Sequence, residues 1–430
     1  MSAVEAEALP PRPTPRALAM LTLIALVIGA VDGLVFLGFE WVVNHATDWI
    51  WNDLVDSDDK RWRVVPLAIV LSLAFGLVLR LVGEPRWVKP HLDPLGAAEE
   101  PGADTAPTPL ALLAVLVVGL GSLLAGASLG PEAPLVAFAA GLGAFVAARA
   151  APGPAGRLFI LASAGALLVA FFGTLVALLI PVAILVQRTK RLPLAAVVAI
   201  AVAGLAAWGM LWLVRGNDHG FGSIPSATVH ARDYVAAFLL GVVAVGIGLL
   251  LRHLVVRLAG ATARIDRRAT WWAAAAAFGA VVGVLYLIGG STVQFSGSQG
   301  SGQLILRADE YGAWALAGIA LVKLLVTAWC LAAGYRGGLV FPSVFVGVAA
   351  SLCVAAFAPS VAGPGIMIGA IVGLLVEMTA PILGIVVLFA LVPLKLIPLG
   401  LAGAVGALLG RRVVDRVASR MGADGRPNRA

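Results

Sequence analysis

Long apolar segments separated by short polar ones fill most of the chain. Many of them reach the length of about 20 residues that a helix needs to cross a bilayer. Others are short or interrupted by glycine and proline, which is typical of the broken helices of transporters. The pattern therefore predicts an all-α polytopic membrane protein. The apolar segments are 17–45, 62–83, 108–126, 131–150, 157–187, 192–215, 231–259, 270–289, 312–334, 338–358, 362–378 and 380–411.

The composition excludes an ordinary soluble domain. Hydrophobic residues make up 60% of the chain and charged residues only 12%, and the mean hydropathy is +0.99. No long polar block interrupts the apolar segments, so we predict one integral membrane domain over 17–412. We expect a disordered, proline-rich cytoplasmic N-terminus at 1–16 and a basic cytoplasmic tail at 413–430.

The formal net charge of +7 does not indicate a nucleic-acid partner. The basic residues collect between apolar segments and at the termini, where cytoplasmic loops of membrane proteins concentrate them. The main clusters are 187–191, 257–268 and 411–429. They predict a multi-pass protein of the cell membrane with both termini in the cytoplasm, and the lipid bilayer is its expected surroundings.

Neither the cysteines nor the histidines predict a metal site. Cys330 and Cys353 lie in apolar segments, where buried free thiols are the usual state. The five histidines show no metal-ligand spacing. We therefore expect no metal and no cofactor.

Two short motifs suggest that the chain is an internal repeat. GPEAP at 130–134 and GLVFP at 338–342 share the form G-x-x-x-P and lie 208 residues apart. FFGTLVALLIP, which begins at Phe171, and TAPILGIVVLF, which begins at Thr379, have the same spacing. The shared spacing predicts two related halves, at about 17–215 and 231–412, with a transport site where they meet.

The repeated motif also predicts an anion-binding site. Proline is tolerated in the first turn of a helix, because the N–H groups there have no partner within the helix. Those free N–H groups and the positive end of the helix dipole attract anions. Glu132 stands inside one such helix start, so its carboxylate could occupy the site. The predicted anion-binding residues are Gly130, Pro131, Ala133, Pro134, Gly338, Leu339, Val340, Phe341 and Pro342.

At these motifs the chain resembles the voltage-gated chloride channel family, whose members are chloride channels or chloride/proton exchangers. GPEAP resembles the family's G-[R/K]-E-G-P motif, which carries the gating glutamate. GLVFP resembles G-x-F-x-P, and APILG at 380–384 resembles A-P-L-x-G. The resemblance covers roughly residues 20–412 and is greatest to a short bacterial branch of ion-channel-like proteins.

The resemblance implies the chloride-channel fold, in which tilted and broken helices form two inverted repeats. It implies a homodimer with one pore per subunit. It also implies that Glu132 blocks the anion site when deprotonated and lets anions pass when protonated or displaced. The backbone N–H groups of Leu339, Val340 and Phe341 would line that site.

The chain departs from the family pattern at four places. The loop KPHLDPLGAAE (89–99) lacks the serine of the family motif G-S-G-I-P, and no pore tyrosine follows Tyr335. Pro131 stands where a basic residue precedes the gate. The inner glutamate that passes protons in exchangers falls near Ala183 or Ile184, neither of which titrates.

These departures favour passive conduction of chloride or a similar small anion, gated by Glu132, over exchange. The alternative is a proton-coupled anion exchanger, whose proton route would have to avoid positions 183 and 184. A membrane-embedded enzyme is disfavoured, because no nucleophile, metal set or second acid accompanies Glu132. A relative that has lost transport is a further alternative.

Other charged residues in apolar segments have less specific interpretations. Lys323 is either a snorkelling lysine or a positive charge of the ion pathway. Glu377 is expected at a helix end, as are Asp32 and Glu40. The Gly/Ser-rich segment 295–305 is expected to be a flexible connection.

Overall fold

The computed structural model describes residues 14–52, 58–83, 107–150, 156–189, 193–216, 229–358, 363–379, 384, 388, 392 and 394–424. The regular elements within these ranges are helices, and the only β feature there is one isolated bridge between Gly130 and Gly338. The predicted all-α class is confirmed. Most of 1–16, the loop 89–99, four of the five residues of APILG and the end of the tail lie outside the described residues.

Fourteen α-helices lie in the described ranges. They are α1 (Pro15–Thr47), α2 (Val64–Leu81), α3 (Pro109–Leu124), α4 (Glu132–Ala150), α5 (Arg157–Phe172), α6 (Leu179–Thr189), α7 (Leu194–Arg215), α8 (Ala231–Arg268), α9 (Trp271–Gly289), α10 (Ser298–Leu306), α11 (Ala313–Ala333), α12 (Val340–Phe357), α13 (Gly363–Met378) and α14 (Ile397–Asp424). A π-helical turn (Asp48–Asn52) continues α1, and short 3-10 turns lie at Asp58–Arg63, Leu175–Leu178, Ser291–Val293, Ala308–Glu310 and Leu394–Leu396.

Nine of the described helices, some of them extended by an adjoining turn, are long and apolar enough to cross a membrane, by length and composition. Four further apolar helices are shorter than a full crossing, in keeping with the predicted broken helices. Many large apolar side chains on the long helices are exposed to the surroundings, among them Leu23, Leu213 and Val256. Such exposure suits helices that face lipid.

Two stretches differ from the predicted segments. The basic cluster 257–268, expected between spans, forms the last turns of α8, which at 38 residues is about 57 Å long and exceeds the roughly 30 Å bilayer core. The segment 295–305 is not a flexible connection, because most of it lies in α10, and Gly300, Ser301 and Leu304 are buried there.

The described residues group into two compact units. One draws on Met1–Leu37, Gly102–Leu112 and Phe138–His219. Its helices pack through small residues, as is usual in membranes. A Cβ atom added to Gly29 of α1 would lie only 2.0 Å from the backbone oxygen of Ala203 in α7.

The other unit draws on Gly38–Pro101, Leu113–Ala137 and Gly220–Ala430. Within it α8, α13 and α14 share an apolar core that includes Ala237, Ile368 and Leu399. Their backbones touch at glycines: a Cβ atom on Gly241 would lie 2.0 Å from the carbonyl oxygen of Gly403. This unit contains all the residues predicted to bind the anion.

The order of helices repeats along the chain. Helix α4 begins at Glu132 and α12 at Val340, which are 208 residues apart. Helices α2 and α9, α5 and α13, and α7 and α14 have nearly the same spacing. The positions equivalent to α10 in the first series lie outside the described residues. The repeated order supports the predicted internal repeat, whereas the limits given for the two halves stay a prediction.

Candidate functional site: a carboxylate at two facing helix starts

Matching turns lead into the site from both sides. Helix α3 is followed by Gly126, with φ of +88°, and α11 by Gly334, with φ of +83°. Such positive φ values favour glycine. Both helices end at this glycine with the same pattern of backbone hydrogen bonds. The N–H of Ala127 bonds the carbonyl of Ser122, and the N–H of Tyr335 bonds that of Cys330. The two turns are therefore equivalent parts of the repeat.

The extended segments after these turns pair with each other. Gly130 N donates to Gly338 O at 2.9 Å, and Gly338 N donates to Gly130 O at 2.8 Å. The pairing is antiparallel. Antiparallel pairing of two equivalent residues is what a two-fold relation between the repeats produces. It places the starts of α4 and α12 next to each other.

Two further hydrogen bonds share this two-fold pattern. The backbone N–H of Arg336 donates to Ser122 Oγ at 2.7 Å. At the equivalent position in the other repeat, the N–H of Ser128 donates to Cys330 Sγ at 3.4 Å. Both acceptor side chains are buried. Buried backbone donors need partners, so these side chains fix the two segments in place.

The prolines of the two motifs occupy the same helical position. Pro134 is the third residue of α4, and Pro342 is the third residue of α12. In the first turn neither ring removes a helical hydrogen bond. Pro134 also packs closely on α3, where a Cβ atom added to Gly119 would lie 2.3 Å from the Cβ of the proline.

The Glu132 carboxylate contacts Val340, the first residue of the opposite helix, α12. Its Oε1 accepts a hydrogen bond of 2.6 Å from the backbone N–H of Val340. The side chain is 5% exposed, and Oε2 has no hydrogen-bond partner among the described residues. The carboxylate thus lies at the positive end of the α12 dipole, a position that favours negative charge.

Glycine at two positions makes room for this carboxylate. A Cβ atom on Gly130 would lie 1.8 Å from Oε2 of Glu132, and one on Gly338 would lie 2.3 Å from its Cγ. Both distances are far below an ordinary contact. The glycines of the two motifs therefore serve the carboxylate as well as the turn.

Some of the predicted anion-binding residues contact one another directly in the structure. Leu339 precedes the first helical residue of α12 and is buried. Phe341, Pro131 and Ala133 are partly buried. Gly130, Glu132, Gly338 and Val340 are the members joined by the contacts described above.

Lys323 lies in α11 and is fully buried, which contradicts a snorkelling lysine. Its Nζ donates to the carbonyl oxygen of Val293 at 3.1 Å and of Phe295 at 2.5 Å. It also lies 5.0 Å from the ring centre of Phe345. Phe295 itself has a φ of +54°. The ammonium group thus holds the segment after α9 against the core.

Sequence reasoning missed a group of buried hydroxyls beside the site. Ser128 Oγ and Thr327 Oγ1 are 3.2 Å apart, and both side chains are buried. Tyr286 OH donates to the carbonyl of Gly126 at 2.7 Å. The 208-residue spacing could have drawn attention to Ser122 and Ser128, because their equivalents are Cys330 and Arg336.

The arrangement suits anion binding better than metal binding. Within the part of the chain that the structure describes, no three acidic, histidine or cysteine side chains are placed to hold a metal ion. The site offers backbone N–H groups at a helix start and one buried carboxylate. Backbone N–H groups at a helix start are suited to small anions.

Comparison with known proteins agrees with these features. The sequence pattern of the family described as "Voltage gated chloride channel" matches residues 99–411. The chain is 27% identical, over 385 residues, to the Escherichia coli protein named "Putative ion-transport protein YfeO", and the match covers 85% of this chain and 86% of the relative. The Shigella flexneri protein of the same name matches with the same identity and coverage.

Solved structures share the fold at low sequence identity. A slow cyanobacterial Cl⁻/H⁺ antiporter has a TM-score of 0.73 and 19% identity, covering 96% of this chain and 99% of its own. A CLC-type fluoride/proton antiporter has a TM-score of 0.71 and 16% identity, with coverage of 93% and 98%. A eukaryotic CLC transporter has a TM-score of 0.69 and 12% identity, with coverage of 92% and 72%.

Proposed function

Because the chain belongs to the voltage-gated chloride channel family, we propose that it transports a small anion such as chloride across a membrane in exchange for protons, with Glu132 as the gate. The observation that carries the proposal is the bond between the Glu132 carboxylate and the Val340 N–H. A carboxylate in this position excludes other anions from the helix start.

The gate follows from charge and geometry. The carboxylate is held by a charge-assisted hydrogen bond and by the helix dipole, while its second oxygen has no partner among the described residues. Binding of a proton removes the negative charge, so both attractions weaken. The side chain can then leave, and an anion can take the freed N–H groups of α12.

Proton exchange fits this gate better than the passive conduction favoured in the sequence analysis. A carboxylate that must gain a proton before it leaves can also carry that proton across the constriction. Two of the structures with the same fold come from antiporters that move protons against chloride or fluoride. These observations support exchange as the function to test first.

The remaining parts of the proposal concern the oligomeric state, the orientation in the membrane and Lys323. A homodimer, with one pathway in each subunit and cytoplasmic termini, is proposed from the family and from the basic clusters. Lys323 is proposed to add positive potential to the anion pathway, since its ammonium group is buried and bonded to carbonyl groups alone among the described residues.

The test is flux from liposomes that contain the purified protein. Chloride efflux and proton uptake are recorded together, with and without valinomycin, for the wild type, Glu132→Ala and the exposed control Glu310→Gln. We expect coupled fluxes in the wild type and in the control. We expect Glu132→Ala to lose proton flux and to pass chloride faster than the wild type, because no carboxylate then occupies the helix start.

Other outcomes would contradict the proposal in distinct ways. Chloride efflux without proton movement in the wild type would support passive conduction instead of exchange. Coupled flux that survives Glu132→Ala would remove Glu132 from the proton route. No flux of chloride, fluoride or nitrate in a folded wild type would reject anion transport.

A further inference from the structure

A second buried carboxylate lies in the other compact unit, away from any helix end. Asp32 was expected at a helix end, but it lies in the middle of α1 and is fully buried. Glu40 also lies within α1 rather than at its end. An ionisable side chain buried inside a membrane helix is costly, and such residues usually have a function.

The surroundings of Asp32 are small, apolar and tightly packed. Gly29 lies about one turn before Asp32 and contacts α7 at Ala203. Gly33 directly follows Asp32 and contacts α7 at Ala207. Ser163 of α5 donates to Oδ2 of Asp32 at 2.7 Å. The other oxygen, Oδ1, has no hydrogen-bond partner among the described residues.

No basic side chain neutralises Asp32 in the part of the chain that the structure describes. The charged residues of the two helices packed against it stand at their ends: Arg157 is the first residue of α5 and Arg215 the last of α7. The guanidinium group of Arg215 lies over the ring of Phe36, 5.6 Å from its centre. The ionised carboxylate of Asp32 therefore depends on a single hydroxyl.

The two protonation states of Asp32 differ in how well these contacts satisfy them. The ionised form lacks a cation, and a buried charge without one is strongly disfavoured. The neutral form removes this charge, and Oδ1, which has no hydrogen-bond partner among the described residues, is the oxygen free to take the proton. Protonation at Oδ1 therefore relieves an uncompensated buried charge without breaking any hydrogen bond that the described residues make to that oxygen.

We propose that Asp32 and Ser163 form a second proton-binding site, which holds the exchanged proton in place of the inner glutamate that this chain lacks. The inference rests on the proposed exchange of anions for protons. It supplies the titratable group that Ala183 and Ile184 do not provide.

The first test combines flux with infrared spectroscopy on Asp32→Asn in the full chain. We expect proton flux to fall about tenfold or more while chloride flux persists, since asparagine keeps the shape but cannot carry a proton. The infrared band of a buried protonated carboxyl group should be missing from this variant. Asp233→Asn is the matched control, because Asp233 is equally buried but caps the start of α8.

A second variant covers the case in which Asp32→Asn does not fold. Ser163→Ala keeps the carboxyl group and removes its hydrogen-bond partner, so it should shift the carboxyl band and weaken proton coupling. Coupling equal to the wild type in both folded variants would overturn the proposal.

The two proposals fail in different ways. If the wild type moves chloride without protons, the proposed exchange is rejected. The infrared band then tests separately whether Asp32 binds a proton. A carboxyl band that disappears in Asp32→Asn would support the proton site in that case. A band unchanged by both substitutions would refute it whatever the flux measurements give.

Discussion

Gly338→Ala tests whether the Glu132 carboxylate is held in place by the opposite repeat. The added methyl group would lie 2.3 Å from Cγ of Glu132 and 2.6 Å from its Oε1. Carbon atoms in ordinary contact are about 3.5–4.0 Å apart. The glutamate side chain must therefore move by about 1 Å or more, which breaks its 2.6 Å bond to Val340 N.

The size of the effect follows from that bond. A hydrogen bond to a charged group contributes about 1.5–3 kcal/mol. Since 1.4 kcal/mol corresponds to a factor of ten, the closed state should lose about tenfold to hundredfold in population relative to the open state. Chloride flux at neutral pH should rise by up to that factor, towards the flux of Glu132→Ala.

The assay is chloride efflux from liposomes for the single variant and for the double variant Gly338→Ala/Glu132→Ala. Gly318→Ala in α11 is the control, because a methyl group there meets no atom within 4 Å. If the methyl group acts only through Glu132, the double variant should match Glu132→Ala. Lower flux in the double variant would mean that the methyl group obstructs the pathway, and unchanged flux in the single variant would refute the reasoning.

Two further predictions concern stability in detergent. Gly29→Ala should lower the midpoint of thermal unfolding by several degrees, since its methyl group would overlap the backbone of α7, and such overpacking costs about 1–3 kcal/mol or more. Gly38→Ala, with open space around it, should not lower the midpoint, because alanine is the better helix former. Lys323→Met should cost about 1–3 kcal/mol because it leaves one buried and one partly buried carbonyl group without their donor. Equal midpoints for Gly29→Ala and Gly38→Ala would contradict the close contact of Gly29 with α7. A Lys323→Met variant more stable than the wild type would contradict the stabilising role of the Lys323 hydrogen bonds.

Much of the site could be predicted because its signals are local. Glycine and proline at fixed positions in GPEAP and GLVFP indicate a turn followed by a helix start. The structure has helix starts at Glu132 and Val340, inside these motifs. The same kind of reasoning failed for 157–187, where Gly173, with φ of +66°, and a 3-10 turn divide one apolar segment into α5 and α6.

The position of Asp32 shows where sequence patterns lose information. In a soluble helix, polar residues mark the exposed face and apolar residues the buried one. In lipid both faces are apolar, so the residues around Asp32 give no periodic signal. Its burial is decided by α5 and α7, which are more than 100 residues away along the chain.

The sequence by itself determined that the chain is helical and membrane-embedded, because these properties depend on local composition and segment length. It also determined that two equivalent helix starts exist, because glycine and proline act on their own backbone. Only the tertiary structure decided that the Glu132 carboxylate meets Val340, 208 residues away, and that Ser163 is the partner of Asp32. A hydrogen bond depends on separations of about 3 Å, and only the packing of distant helices sets such separations.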